Sequence, residues 1–474
     1  MGNLKIGFAW SLFSAVSRQG LMMLGTIILA RLLTPDDYGL LGMLSIFIVV
    51  SETIIDAGLG GALIRKQNVQ PIDFETLTVY NLAASIGLYL IIFLISPLVA
   101  EFYKKDILVQ LLRLYGLTVV IEAFSIVPKI LMMKNLYFKK YAISNFISGA
   151  CGLSGAILLA YNGSGVYSLI FQYIITASIF LLLSVFFTKY RFHFAFSMTS
   201  FKELFGFGFN TTLGNIIKNF TEGLFSSVYA KVAPLANVGY FNQSTRIQNS
   251  VFSLQNTIIE SFVYPVLCKE LSNVKEQSQK INEIVSLGVV ALNTWLILNS
   301  QEIINIVLGA QWLPMDFYFR ILLLAGICQS QSALNRNLLK TIDRTKNIVF
   351  CEVASTLFAF LILTASLASS SFESIIYSFL LYSLFRFIVY IYYVLKFEMI
   401  TIRSYILSFA ALLTTFSIPL ICVSIFEIHT NYDIVAIIIK TIIFITLTIC
   451  IMSITKQRVF CEVIGIIKHA TKKL

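Results

Sequence analysis

Charged residues placed where lipid would keep a helix apolar are the groups in this chain with the clearest chemical potential. Cations fall inside or near the ends of long apolar runs at Arg18, Arg113, Lys129, Lys218, Arg246, Arg320, Arg336, Arg386 and Lys440. Glu52, Asp56, Glu122, Glu222, Glu260, Glu302 and Glu352 partly match them. A charge at the centre of a membrane helix costs about 2.5–3.5 kcal/mol on insertion scales, so each must face water or a partner. Spacing sorts them further. Thr211, Asn215, Lys218, Glu222 and Ser226 recur every three or four residues and share one helix face. Arg246, Asn249, Ser253, Asn256 and Glu260 form a second such row, Ser11, Ser14, Arg18 and Gly25 a third, and Ser45, Glu52 and Asp56 a fourth. Together they could line a polar cleft. The plainer reading is a set of structural ion pairs: Lys218 has Glu222 as its i+4 neighbour, and Arg18 has Glu52 or Asp56 within a helix pair. Arg336, Glu352 and Arg386 are expected to hold helices together.

Catalysis and metal binding have little behind them. Cys151, Cys268, Cys328, Cys351, Cys422, Cys450 and Cys461 lie mostly in apolar runs, without a CxxC pair, and His193, His429 and His469 are isolated. No P-loop, DxD motif or Ser/His/Asp set is visible, so neither a cofactor nor an active site is expected. The net charge of +11 comes from cations scattered through short loops, which excludes a nucleic-acid-binding domain.

The polar rows sit on a repeat. Shifting the numbering by about two hundred carries Arg18-Gln19 onto Lys218-Asn219, Ala30-Arg31 onto Ala230-Lys231, and Gly39 onto Gly239. Pro35 finds a near-match in Pro234. Identity is low, so the repeat is structural. The surrounding chain is membrane material: 474 residues, 57% hydrophobic and 12% charged, with forty Phe and twenty-two Tyr to supply lipid-facing and interfacial surface. Apolar runs predict about fourteen transmembrane helices, near 6–30, 38–64, 75–100, 107–130, 140–161, 165–188, 203–230, 236–267, 280–308, 315–340, 346–368, 372–396, 402–426 and 432–454. The first is full length and has no small-residue cleavage site, so it is expected to remain as a helix.

Loop charge sets the orientation. Loops after even-numbered helices carry Arg65-Lys66, then Lys134, Lys139 and Lys140, and so on to the tail; those after odd-numbered helices hold only Arg31, Lys104, Lys105 and Lys231. Both termini are therefore expected in the cytoplasm. Six helices separate the two copies of the repeat, so the halves should run parallel about an axis along the membrane normal. The expected fold class is an all-α integral membrane protein: an N-terminal lobe over 1–190, a C-terminal lobe over 191–400, an added helix pair over 401–455 with Pro419 mid-span, and a cytoplasmic tail over 456–474. Lys456, Arg458, Lys468, Lys472 and Lys473 alternate there with apolar residues, as a helix lying on an anionic leaflet would. Ser148, Gly152 and Ala156 form a small-residue strip suited to close helix packing.

Arg31-Leu-Leu-Thr-Pro-Asp-Asp-Tyr-Gly-Leu-Leu-Gly-Met and Asp56-Ala-Gly-Leu-Gly-Gly-Ala-Leu-Ile-Arg-Lys resemble bacterial polysaccharide flippases. These are the colanic-acid-exporter-like proteins of the multidrug/oligosaccharidyl-lipid/polysaccharide superfamily. Gly239-Tyr-Phe-Asn-Gln and Tyr264-Pro-Val are similar to the second half of that family, so the resemblance covers essentially the whole chain. It implies movement of an undecaprenyl-diphosphate-linked oligosaccharide across the cytoplasmic membrane by rocking of two lobes, with membrane lipids and polysaccharide polymerase or assembly proteins as partners. On that basis Arg18, Lys218 and Arg246 are assigned to the diphosphate, and Asn215, Asn249 and Asn256 to the sugars. Glu52, Asp56, Glu222 and Glu260 would neutralise the empty cavity or carry a coupling Na+ or H+. Two alternatives stand beside this: a cation-coupled multidrug exporter of the same superfamily, and a membrane glycosyltransferase or polymerase.

Overall fold

The computed structural model describes residues 2–56, 63, 66, 69–259, 274–342, 344–369, 371–425 and 433–454. The tail over 456–474, the glycines of the Asp56-Ala-Gly-Leu-Gly-Gly-Ala segment, Tyr264-Pro-Val and Glu260 lie outside the described residues. The described chain is helical throughout, with no strand among those residues. That is what lipid demands of a spanning segment, since a helix satisfies its backbone groups internally. In order the helices are α1 (Gly2–Leu32), α2 (Pro35–Asp56), α3 (Pro71–Tyr103), α4 (Ile107–Lys134), α5 (Phe138–Tyr161), α6 (Val166–Thr188), α7 (Met198–Val232) and α8 (Leu235–Ile258). They continue as α9 (Val274–Leu298), the short α10 (Ser300–Val307), α11 (Asp316–Thr341), α12 (Thr345–Leu367), α13 (Ser374–Lys396), α14 (Ile402–Ile425) and α15 (Asp433–Ile454). Eight helices among the described residues are long and apolar enough to cross a bilayer: α3, α4, α5, α6, α9, α12, α13 and α15. The helices bearing the polar rows, α7 and α8 among them, fall outside that set.

Helix ends follow local chemistry. Pro71 opens α3, and the Gln70 amide donates to Asp73 Oδ2 at 2.9 Å. Lys104 and Lys189 close α3 and α6 in the left-handed conformation, and Gly165, with φ +54°, turns the chain into α6. Ser197 caps α7 by accepting from the Ser200 amide at 3.4 Å. The continuous apolar run over 280–308 is broken at Asn299 into α9 and α10. Asn299 Nδ2 bonds back to the Trp295 carbonyl at 2.9 Å, and Gly309, at φ +104°, then redirects the chain.

The chain divides into two compact units, Met1–Gln243 and Ser244–Leu474. In the first, α3 packs on α4, α5 on α6 and α1, α4 on α6, and α2 on α7. The small-residue strip of α5 is buried: Gly152 lies so close to α6 that a Cβ there would overlap Thr176 and stand 3.0 Å from the Gln172 carbonyl oxygen. The lobe boundary expected from the repeats falls at 190/191. Packing divides the units at 243/244 because α7 is bound into the first unit. Gly223 of α7 sits against Ile46 of α2, Asn219 Nδ2 donates to Thr53 Oγ1 at 2.9 Å, and Tyr103 of α3 donates to the Ser227 carbonyl at 3.2 Å. At the other end of α7, Lys66 Nζ bridges buried Asp73 at 3.1 Å and Glu203 at 2.8 Å, and Lys134 donates to the Leu63 and Lys66 carbonyls. The bond to Glu203 leads in holding the Lys66 ammonium above its ordinary pKa, against the desolvation that works to lower it.

In the second unit α11 packs on α13, α12 on α13, and α9 on both α11 and α14. One core joins Leu334, Leu338, Ile348, Phe387, Tyr390 and Tyr405; another joins Val289, Val290, Leu412, Phe416 and Phe444. The last helix pair is thus attached through α9. Polar groups reinforce the attachment of α15: Lys440 pairs with Glu302 of α10, Asn305 donates to Asp433 at 2.6 Å, and Trp295 Nε1 donates to Thr441 at 2.9 Å.

Candidate functional site

Three helices present the polar rows at accessible positions. On α7, Asn215, Lys218 and Glu222 are half-buried, and Lys218 Nζ stands 3.6 Å from Glu222 Oε1 with both side chains about a fifth exposed (19% and 25%). The ion pair read from the i,i+4 spacing is therefore present. At 3.6 Å it is longer than a hydrogen bond. On α1, Arg18 is exposed, yet it shares a helix face with buried Ser14 and with Gly25, which packs against Leu153 and Gln172. On α8, Arg246 and Asn256 are half-buried and Asn249 is exposed.

The acidic set is only partly placed. The backbones of Glu52 and Asp56 lie in the last turns of α2, but their side chains, like Glu260, fall outside the described residues. The proposed pairing of Arg18 with either acid falls outside them too.

α8 has a second polar face that spacing from charged residues does not reveal. Ser244, Gln248 and Gln255 are buried and turn to α11. Gln248 Nε2 donates to Gln329 Oε1 at 3.0 Å, Ser330 Oγ to Gln255 Oε1 at 2.5 Å, and Ser286 of α9 to Gln331 Oε1 at 3.1 Å. Gly326 opens the space that Gln248 needs, since a Cβ there would stand 2.9 Å from its Nε2. The signal in sequence is the uncharged run Gln329-Ser330-Gln331-Ser332 at mid-helix, together with the seven-residue spacing of Gln248 and Gln255. These amides glue helices where no hydrophobic force acts between them.

Several other charges within helices are tied to neighbouring side chains. Arg386 Nη2 and the Tyr390 hydroxyl both donate to Glu352 Oε1, at 2.8 and 2.7 Å, with Glu352 and Arg386 almost wholly buried. This ties α12 to α13, as expected for these residues. Arg113 lies over the Phe93 ring at 4.0 Å and donates to Ser96 at 3.2 Å, joining α4 to α3. Arg320 pairs with Asp316 at 3.0 Å on its own helix. Among the described residues no group of three or more His, Cys, Asp or Glu is placed to hold a metal ion.

The helical fold can be set beside solved structures. It matches that of the lipid II flippase MurJ in an inward closed conformation, with TM-score 0.78 at 12% identity, covering 94% of this chain and 98% of that one. It also matches an inward-facing multidrug resistance MATE transporter of the MOP superfamily, with TM-score 0.58 at 14% identity over 81% of this chain and 98% of that one.

The family follows from a sequence match. The profile described as "Polysaccharide biosynthesis protein" matches residues 28–317, and the chain belongs to that family. Among its relatives is the lipopolysaccharide biosynthesis protein WzxC of Escherichia coli (strain K12), 22% identical over 333 residues, or 68% of this chain and 67% of that protein. Another is the succinoglycan biosynthesis transport protein ExoT of Rhizobium meliloti (strain 1021), 24% identical over 311 residues, or 64% and 62% of the two chains.

Proposed function

We propose that this chain moves an undecaprenyl-diphosphate-linked oligosaccharide from the cytoplasmic to the outer leaflet of the bacterial cytoplasmic membrane. The cargo serves surface polysaccharide assembly: lipopolysaccharide O-antigen, capsule or exopolysaccharide. The observation that carries the reading is the half-buried Asn215–Lys218–Glu222 row on α7 in a chain of the polysaccharide biosynthesis family. A diphosphate and several sugars cannot enter hydrocarbon without a replacement for their hydration. In this reading Arg18, Lys218 and Arg246 attract the diphosphate, and Asn215, Asn249 and Asn256 offer amides to sugar hydroxyls. The prenyl tail stays in lipid. Access alternates, with the polar path open to one leaflet at a time and both chain termini in the cytoplasm. Glu52, Asp56, Glu222 and Glu260 offset the cations when cargo is absent or carry a coupling Na+ or H+, and a polymerase or assembly protein receives the product.

Cation-coupled multidrug export has the MATE fold likeness behind it. Export of cationic drugs calls for a path without mid-helix cations, whereas Arg18, Lys218 and Arg246 place one on three of the four rows. The test is a cell lacking the chain: lipid-diphosphate oligosaccharide should accumulate on the inner leaflet and surface polysaccharide should vanish, both restored by the intact gene. Unchanged surface polysaccharide in such cells overturns the reading.

A further inference from the structure

The two halves build the same arginine–serine clamp, and only one of them neutralises it. In the first unit Arg113 of α4 donates from Nε to Ser96 Oγ of α3 at 3.2 Å. In the second, Arg320 of α11 donates from Nε to Ser300 Oγ of α10 at 2.8 Å. α3 and α4 follow the first copy of the repeat as α9, α10 and α11 follow the second, so the two clamps are counterparts. They differ in what answers the charge. Arg320 has Asp316 one turn back on its own helix, 3.0 Å from Nε, and Ser300 turns its hydroxyl hydrogen to the same carboxylate. The position one turn back from Arg113 is Val109, and Ser96 turns its hydrogen to the Phe93 carbonyl at 2.9 Å.

Among the described residues nothing offsets the Arg113 charge. The Phe93 ring, 4.0 Å from the guanidinium carbon, attracts the charge without cancelling it. Only Nε is bonded: the four Nη hydrogens meet no acceptor among the described residues, and no carboxylate there pairs with the side chain. Glu101 and Asp106, exposed around the turn between α3 and α4, are matched there by exposed Lys104 and Lys105. Depth sharpens the demand. α3 and α4 are both long and apolar enough to cross a bilayer. The 28 residues of α4 make about 42 Å against a hydrocarbon layer of about 30 Å, so each end stands about 6 Å clear of it. Arg113, about 9 Å along α4, therefore lies about 3 Å below the boundary, and its side chain can rise to the level of lipid phosphates. The surface nearby suits hydrocarbon: Leu94 and Leu98 of α3 and Leu117 of α4 are exposed.

We propose that Arg113, with Ser96 holding its Nε and Phe93 against it, binds the phosphate of a lipid headgroup in the leaflet where α3 ends and α4 begins. The lipid anion takes the place that Asp316 fills in the second half. A guanidinium fixed at Nε still has its two Nη groups to donate in parallel to phosphate oxygens. With both termini in the cytoplasm this is the outer leaflet, and the site itself does not depend on cargo being moved.

The test is photo-crosslinking of the full-length protein in dodecyl maltoside micelles, which carry no phosphate. The probes are phosphatidylglycerol with a photoactivatable headgroup and a photoactivatable diacylglycerol, with labelled peptides mapped by mass spectrometry. Phosphatidylglycerol should label 93–98 and 113–117, and diacylglycerol should label them weakly. Arg113→Gln should lower the phosphatidylglycerol label about tenfold or more, as loss of hydrogen bonds to a charged group requires; Arg320→Gln should leave it unchanged. Val109→Asp supplies the acid that the first half lacks, at a half-buried position in the first turn of α4, and should expel the lipid while keeping the thermal midpoint. Should Arg113→Gln fail to fold, Val109→Asp decides alone. Competition by unlabelled phosphatidylglycerol or by undecaprenyl diphosphate then tells a bulk phospholipid from the prenyl carrier. Equal labelling in the parent and either first-half variant, equal labelling by diacylglycerol, or displacement by neither competitor overturns the site. Protein that labels as expected but moves no oligosaccharide leaves the site standing and overturns the transport reading alone.

Discussion

Replacing Arg18 and Lys218 together by alanine separates a transport role from a structural one. Lys218 is held by an i,i+4 pair at 3.6 Å with both partners partly exposed, and such pairs contribute about 0.3–0.5 kcal/mol. Arg18 is exposed on α1. The double variant should therefore insert and unfold much as the parent does. Its loss in transport should be far larger. Hydrogen bonds to charged groups are worth about 1.5–3 kcal/mol each, so losing two phosphate contacts costs about 3–6 kcal/mol, a fall of roughly a hundredfold to ten-thousandfold in rate or affinity. The assay pairs surface polysaccharide in complemented cells with the thermal midpoint of the purified protein. Normal polysaccharide from a well-inserted double variant refutes the assignment. A collapse of thermal stability refutes the claim that these cations are dispensable for folding.

Other residues should behave in the opposite way. Glu352→Ala leaves the Arg386 guanidinium buried without its carboxylate and should destabilise by about 3–5 kcal/mol, read as loss of monodisperse protein on mild heating. Replacing Glu352 and Arg386 together by apolar residues should recover much of that loss. Lys440→Met removes the tie from α15 to Glu302 and should raise proteolysis at the ends of α15 while leaving α3 to α6 protected. Lys66 carries a raised pKa, so its contribution is complete below the unfolded value of about 10.4 and is lost as pH rises through the higher folded value. Stability should fall above about pH 10 in the parent, and Lys66→Met should lack that alkaline step; an identical alkaline profile in the variant contradicts it.

Much of the fold is legible because lipid punishes exceptions. The offset of two hundred that aligns Arg31 with Lys231 and Gly39 with Gly239 lands on corners at Leu32/Pro35 and Val232/Leu235, matched residue for residue. The small-residue strip of α5 and the lobe-holding role of Glu352 and Arg386 are readable for the same reason, since each costs too much unless packed or paired. The break at Asn299 is hidden because α10 continues the apolar run of α9. Attachment of α7 to the first unit is hidden because it depends on Asn219, Gly223 and Glu203 meeting residues more than a hundred positions away. The polar seam of Gln248, Gln255, Gln329 and Gln331 is silent in a pattern of charges, because amides bonded to one another and to serine hydroxyls carry no net charge.

The central claim is that this chain carries a lipid-diphosphate oligosaccharide between leaflets, and reconstitution tests it most directly. Purified protein is placed in liposomes with a fluorescent undecaprenyl-diphosphate oligosaccharide, and leaflet exchange is followed by quenching from outside, with and without a Na+ or H+ gradient. The account predicts rapid exchange with the parent protein and little above protein-free liposomes with Arg18→Ala/Lys218→Ala. Equal exchange in parent, double variant and protein-free liposomes would contradict it.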